Sequence, residues 1–341
     1  QFAPDPHFPG PAFNQPLDMV DGKLVAGFRV VTDPGTTTNP GIPHSGIFSY
    51  TEAQQGTLTV SDPISGMATV NLVAEVRFPA ALAGINDPAQ IIPGSYPLIV
   101  CVHGNGHNFS NYTYLLDHWA KNGFIAASIH LNGGMAKEGR ARVLFKHIDI
   151  LKLAFGASLQ NNIGIMGHSR GGEGVVAAAR INNAEALGHN LKAIISLGPT
   201  DQYNPKEVLA PPFATPYLVM HGAMDGDVAN PGLMGFSLYD RASGKEKSMA
   251  WLYGANHNRF NEINPDGDLN TGKMDPADHP KILTAASHRV LSLAYMTGFF
   301  RWHLSGATEF QGMFKGEWTP ASVAVTEPLI NKIYFQYGNP V

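Results

Sequence analysis

The stretch Asn162-Ile163-Gly164-Ile165-Met166-Gly167-His168-Ser169-Arg170-Gly171-Gly172-Glu173-Gly174-Val175-Val176 reads as a strand, a G-x-S-x-G turn and a helix. Residues 163–166 are a short apolar run, and residues 175–179 are apolar and compatible with a helix. So tight a reversal places its central serine in a strained backbone conformation and requires glycine two positions before and after it. The hydroxyl of Ser169 is then exposed at the end of a sheet. The helix that follows directs its free N–H groups and positive dipole end to the point where an oxyanion forms during acyl transfer. This context on both sides makes Ser169 a candidate nucleophile rather than an ordinary serine in a glycine-rich turn.

The same alternation continues on either side of the turn. Apolar runs at 97–102, 124–129, 162–166, 191–197, 216–220 and 247–252 alternate with helix-like stretches near 110–122, 138–158, 170–187, 231–242 and 279–304. This pattern predicts an α/β fold: a mostly parallel central sheet with helices on both faces. Partial alternation at 56–60 and 68–78 predicts antiparallel N-terminal strands feeding that sheet. Residues 1–55 are dense in Pro, Gly, Asn and Thr, with only 24–31 reading as a strand, and are expected to wrap over the core as irregular structure. The catalytic domain is expected over 56–304, with an insertion at about 259–280 that forms part of the pocket rim. The tail 305–341 packs on the same domain and holds one candidate strand at 333–337.

A serine hydroxyl needs a base to accept its proton and a third group to orient that base. In a parallel sheet of this kind the acid and then the histidine follow the serine, each in a loop after a strand. The run 217–220 leads into His221-Gly222-Ala223-Met224-Asp225-Gly226-Asp227-Val228. Asp225 is the expected acid. Asp227 competes with it and has the alternative duty of capping a helix near Asn230 or closing an Asx turn. The last run leads into Tyr253-Gly254-Ala255-Asn256-His257-Asn258-Arg259-Phe260, which makes His257 the expected base. An earlier strand is followed by His103-Gly104-Asn105-Gly106-His107; the Asn105 N–H, paired with that of Arg170, is the expected oxyanion hole, and His103 reads as a packed structural residue.

The four segments H-G-N-G-H, G-H-S-R-G-G, G-A-M-D-G-D-V and G-A-N-H-N-R-F, in that order over roughly 56–304, resemble the α/β-hydrolase superfamily. Within it they are similar to dienelactone-hydrolase, chlorophyllase and polyester-hydrolase-like esterases. The resemblance implies a serine esterase acting on a small-molecule or polymeric ester, with no cofactor. Two departures set the chain apart from the polyester hydrolases. It has Gly198-Pro199-Thr200-Asp201-Gln202-Tyr203 where they carry a Trp, and its single cysteine, Cys101, cannot form their C-terminal disulfide.

Composition narrows the alternatives. The 341 residues carry a net charge of -4 and only 15% charged residues, which gives no basic footprint for nucleic acid. No apolar run reaches 18 residues, so no membrane span is expected. The chain starts at Gln1 without Met, which suggests a processed product and a secreted or periplasmic origin, with a cytoplasmic one left open. Sequons at Asn108 and Asn111 lie in the oxyanion loop, where a glycan would obstruct the site, which favours a bacterial source. A monomer is expected. Asp266, Asp268 and Asn270 alternate as in a calcium loop, although the glycine register is off by one and no twelfth-position Glu follows. Arg170 and Glu173 can brace the turn as an ion pair or shape the acyl pocket. Two rival readings remain at this level: a silent binding protein of the same fold, and a lactonase, amidase or acyltransferase.

Overall fold

The computed structural model describes residues 17–20, 23–26, 33–201, 215–229, 235–244, 246–326 and 333–338. In chain order its elements begin with the hairpin β1 (Leu17–Val20) and β2 (Lys23–Ala26), followed by β3 (His44–Tyr50), α1 (Glu52–Gln55), β4 (Thr57–Asp62), β5 (Gly66–Asn71) and β6 (Ala74–Ala80). The central series is β7 (Tyr96–Val102), α2 (Thr113–Lys121), β8 (Ile125–Ile129), α3 (Lys137–Phe155), β9 (Leu159–His168), α4 (Arg170–Ala184) and β10 (Leu191–Leu197). It continues through β11 (Tyr217–Gly222), α5 (Phe236–Arg241), β12 (Lys247–Leu252) and α6 (Ala285–Ser305) to α7 (Gln311–Phe314), α8 (Ala321–Thr326) and β13 (Ile333–Gly338).

Nine strands form one sheet in the order β13-β12-β11-β10-β9-β7-β8-β6-β3. The six strands from β12 to β8 run parallel; β6, β3 and β13 are antiparallel additions at the two edges. This is the α/β class that the alternation predicts.

Side chains leave each strand with a period of two, and both faces are dry. Along β7, Leu98, Val100 and Val102 enter the core shared with α3 and α4, while Ile99 and Cys101 enter the core shared with α2 and α6. β11 divides in the same way, with Tyr217 and Val219 on the first face and Leu218 and Met220 on the second. Each such side chain, fully withdrawn from water, contributes about 1.5–3 kcal/mol. Cys101 is a fully buried core residue whose thiol is pushed up by that burial. Trp119, Phe299 and Phe300 are likewise core.

Two local expectations change. Residues 44–50, read as part of an irregular wrap, form the edge strand β3 paired antiparallel with β6; with one side exposed, its apolar alternation is too weak to announce a strand. Of the strands expected over 56–60 and 68–78, β6 feeds the central sheet antiparallel to β8 as expected, whereas β4 and β5 do not. They form a separate hairpin whose inward residues Val60, Ala68 and Val70 join the core against α3. Of the strand expected over 24–31, Lys23–Ala26 is present as β2, and 27–32 fall outside the described residues. The candidate strand at 333–337 is β13, which closes the far edge of the sheet on β12.

The order β9-β7-β8 contains the switch point, where the chain leaves β7 toward one edge and later returns to its other side. Loops at the carboxyl ends of strands flanking such a point diverge and leave a crevice. Val102 of β7 lies opposite Gly167 of β9, so the loop after β7 and the turn after β9 emerge side by side.

Gly164 of β9 tests how closely the sheet meets α6. A Cβ there would stand 2.6 Å from Phe300 Cε1 and 2.9 Å from Leu304 Cδ1. Gly164→Ala is expected to lower unfolding free energy by about 1–3 kcal/mol through overpacking. Denaturant titration measures this, and a variant as stable as wild type would contradict the packing described.

Candidate functional site

β9 stops at His168, and α4 starts at Arg170. Between them Ser169 has φ 57° and ψ -125°, a conformation that costs a non-glycine residue about 1–3 kcal/mol and persists only when its surroundings enforce it. Here the surroundings are main chain. A Cβ on Gly167 would lie 2.0 Å from Gly171 O, and one on Gly171 would lie 2.0 Å from Val102 O. Both glycines are thus required by contact with neighbouring backbone. The turn is fastened by the Ser169 N–H donating to Leu197 O at 2.9 Å, and by Ser169 O accepting from the N–H groups of Gly172 and Thr200. Ser169 is 4% exposed.

The loop after β7 meets this turn through Gly104, whose Cβ position is 2.6 Å from Ser169 Cβ. His103 ties the loop down. Its Nδ1–H donates to Gly104 O at 2.7 Å and its Nε2 accepts the Leu131 N–H at 3.1 Å, which assigns the tautomer of a neutral ring. Burial, reinforced by the Arg140 charge, pushes its pKa down to about 3. Arg140 of α3, itself 1% exposed, donates to His103 O (2.8 Å), Met135 O (3.0 Å) and Asn105 Oδ1 (2.6 Å). Asn105 is therefore held by its side chain beside the serine, with Gly134 N–H as a second donor to the same oxygen.

β11 and β12 deliver the acid and the histidine. Asp225 Oδ2 lies 2.7 Å from His257 Nδ1, with both side chains nearly fully buried. The other oxygen, Oδ1, accepts the N–H groups of Asp227 (2.9 Å) and Val228 (2.6 Å). Asp225 thus closes an Asx turn that fixes the carboxylate facing the ring, while Asn230, near which Asp227 was expected to cap a helix, falls outside the described residues. Asp227 is exposed, pairs with Lys273 at 3.3 Å and stands 3.9 Å from His257 Nε2. The two aspartates therefore address opposite nitrogens of one imidazole. Gly198 leaves room for it, since a Cβ there would stand 3.1 Å from His257 Nδ1.

Electrostatics sharpen the pair. Burial pulls His257 toward the neutral form, but the charge and hydrogen bond of Asp225, joined by Asp227 and Asp268, outweigh it and hold the ring above its ordinary value. Burial likewise opposes ionisation of Asp225, and His257 reverses that effect, so its carboxyl sits below the usual range. Two further imidazoles lie beside His257 in a tilted stack, with ring centroids 4.7 Å apart for His168 and His257 and 4.7 Å for His107 and His168, each pair inclined at 40°. Tyr112 Oη lies 2.8 Å from His168 Nδ1 and 3.1 Å from His107 Nδ1, and His107 Nε2 lies 3.0 Å from Asn258 Oδ1. Burial first, and then the neighbouring imidazoles, push His107 down to about 4 and His168 well below the ordinary value. Of this stack only His257 is raised. Its Nε2 is buried and makes no hydrogen bond among the described residues.

Two of the three side chains that alternate as in a calcium loop are engaged by the protein itself. Asp268 is 1% exposed and accepts hydrogen bonds from Asn256 Nδ2 (2.8 Å), His257 N–H (2.9 Å), Gly226 N–H (3.1 Å) and Asn258 N–H (3.2 Å). A carboxylate ringed by N–H donors is set to be held by protein, not to hold a cation. Asp266 is engaged by Arg259 at 2.7 Å, and among the described residues no group of three or more His, Cys, Asp or Glu side chains converges as a ligand set. The 259–280 insertion is more than a rim, because its Asp268 grips the His257 loop and its Lys273 grips Asp227. Glu173 is held by Lys137 Nζ at 3.8 Å and by Thr200 Oγ1 at 3.1 Å. The structure places Ser169, Asn105, Asp225 and His257 just past the carboxyl ends of β9, β7, β11 and β12 of one sheet. Arg140 and His168 were missed as site residues, and Asp268 was noted only as a calcium candidate; a buried polar side chain that bonds across loops carries no periodic signal in sequence.

The family model described as Chlorophyllase matches residues 67–217. That stretch includes the Asn105 loop and the Ser169 turn and ends as β11 begins, before Asp225 and His257. No curated protein matches the chain. Over residues 67–217 the chain is similar to the chlorophyllase family, an α/β-hydrolase-type family, and its mostly parallel sheet with antiparallel edge strands is consistent with that similarity.

Proposed function

We propose that the protein is a serine hydrolase that cleaves carboxylic esters through an acyl-enzyme. The observation that carries this reading is the buried Asp225–His257 pair at 2.7 Å, set on strands of the sheet whose switch point presents Ser169 at positive φ. Ser169 Oγ attacks the ester carbonyl as His257 Nε2 takes its proton. Asp225 keeps the other proton on Nδ1 and stabilises the imidazolium. The N–H groups of Asn105 and Arg170 hold the oxyanion. The proton on Nε2 then passes to the leaving alkoxide, the alcohol departs, and water repeats the sequence to free the acid. This chemistry needs no cofactor. Among the described residues no helix is long and apolar enough to cross a membrane.

Ser169→Ala is expected to reduce ester hydrolysis by as much as about 10⁶-fold, with the melting temperature nearly unchanged because the Cβ is retained. A fluorophosphonate probe should label wild type at Ser169 and leave the variant unlabelled. A silent protein of the same fold would label in neither.

The two aspartates separate by rate. Asp225→Asn is expected to cost about 10⁴ in turnover, because the amide favours the wrong imidazole tautomer. Asp227→Asn should stay within a few-fold, since its carboxylate is exposed and touches no proton of the ring. The reverse ranking would move the acid to Asp227.

The pH profile follows from the sign of the shift. The base works in its neutral form and its pKa is raised, so kcat/KM is expected to rise with pH through a limb above about 6.5. A limb below that value would contradict the influence of the three carboxylates on His257.

A further inference from the structure

Asp268 lies in a segment remote from the strand ends, yet it joins the two loops on which the proposed chemistry depends. Its Oδ2 accepts the N–H of Gly226, next to the acid, and the N–H of His257, the base. Its Oδ1 accepts from Asn258 N–H and Asn256 Nδ2, on either side of that histidine. Thr271 Oγ1 adds a further tie from the same segment, donating to Gly226 O. On the remaining sides the histidine loop is braced by Asn256 N–H donating to His288 Nε2 at 3.0 Å and by Arg259 Nη1 donating to Leu283 O at 2.6 Å.

We infer that Asp268 is a second acidic positioning residue, which clamps the acid loop to the base loop through their main chains and places its negative charge behind the His257 ring. This inference rests on the serine-hydrolase reading. Asp225 contacts the ring itself, whereas Asp268 acts through the backbone that carries the ring. A single carboxylate that satisfies three main-chain N–H groups from two loops fixes their separation, and with it the reach of His257 Nε2 toward Ser169. In such geometry a displacement of about 1 Å costs about 10² in rate.

The charge has a separate consequence. The titratable groups that face His257 are Asp225, Asp227 and Asp268, which favour the imidazolium, and His107, His168 and His221, which oppose it when protonated. Burial keeps these three histidines neutral, so removal of the Asp268 charge leaves Asp225 and Asp227 to hold the proton, and the pKa of His257 falls.

The experiment compares wild type, Asp268→Asn and Asp268→Glu on a p-nitrophenyl ester across pH, with hydrogen exchange at the Gly226, His257 and Asn258 amides. Asp268→Asn is expected to lower kcat by about 10² with KM changed less than threefold, and to move the acid limb of kcat/KM to lower pH. Exchange at the three amides should quicken. Asp268→Glu keeps the charge but misplaces it, so kcat should fall while the limb stays near that of wild type. A residue that merely stabilises the fold would leave the limb in place in both variants. An unmoved limb, or kcat within threefold of wild type in Asp268→Asn, overturns the inference. Should that variant fail to fold, Asn256→Ala removes one of the four donors; a several-fold loss of kcat with faster exchange at the His257 amide supports the clamp, and no change in either overturns it. Wild type that neither hydrolyses the ester nor labels with fluorophosphonate defeats the serine-hydrolase reading instead, and quickened amide exchange in Asp268→Asn would still establish the clamp.

Discussion

The close approach of three main-chain segments around Ser169 is the constraint on which the rest of the structure depends. β9 turns into α4 with Gly167 against Gly171 and Gly171 against Val102 of β7, at separations that leave no space for a single Cβ. That contact forces the serine into its strained conformation, brings the Asn105 loop beside it and anchors α4 on the sheet. Strain of this kind survives because it is overdetermined: Leu197, Gly172 and Thr200 all bond to the main chain of Ser169. The dry parallel sheet supplies the rigidity that keeps the contact from relaxing.

A second theme is charge held in a buried place. Three imidazoles, mutually tilted, and the carboxylates of Asp225 and Asp227 crowd the ends of β7, β9, β11 and β12, and the insertion adds that of Asp268. Desolvation alone would leave every ring neutral. The carboxylates act on one of them, so that His257 is raised while His107 and His168 are depressed. His257 is thus the one ring of the three whose surroundings favour the protonated form. The neighbours still serve geometry, since the Tyr112 hydroxyl bridges His168 to His107 and His107 reaches Asn258 in the histidine loop.

Much of this was legible in the chain. The serine turn declares itself because a glycine is needed at fixed offsets from a residue of positive φ, and the six parallel strands declare themselves because burial on both faces makes continuous apolar runs. Asp225 and His257 were legible as the first acid and the histidine in loops that follow such runs. The edge strand β3 was not, since a half-exposed strand of mixed composition satisfies its backbone without a hydrophobic pattern. The role of Asp268 was not legible for a related reason. Alternating oxygen-bearing side chains look alike whether they face a cation or a ring of N–H groups, and the donors they meet come from distant loops.

The sequence by itself therefore determined the sheet, the turn at Ser169 and the strand ends that carry the acid and the histidine, because these follow from local periodicity and backbone sterics. Tertiary structure decided which aspartate faces Nδ1 and what Asp268 is for. Asp225 and Asp227 differ by two positions, and only the Asx turn closed by Asp225 Oδ1 aims its second oxygen at a ring 32 residues away. Asp268 reaches Gly226 across 42 residues of chain, and the direction of a buried carboxylate is set by the donors around it rather than by its neighbours in sequence.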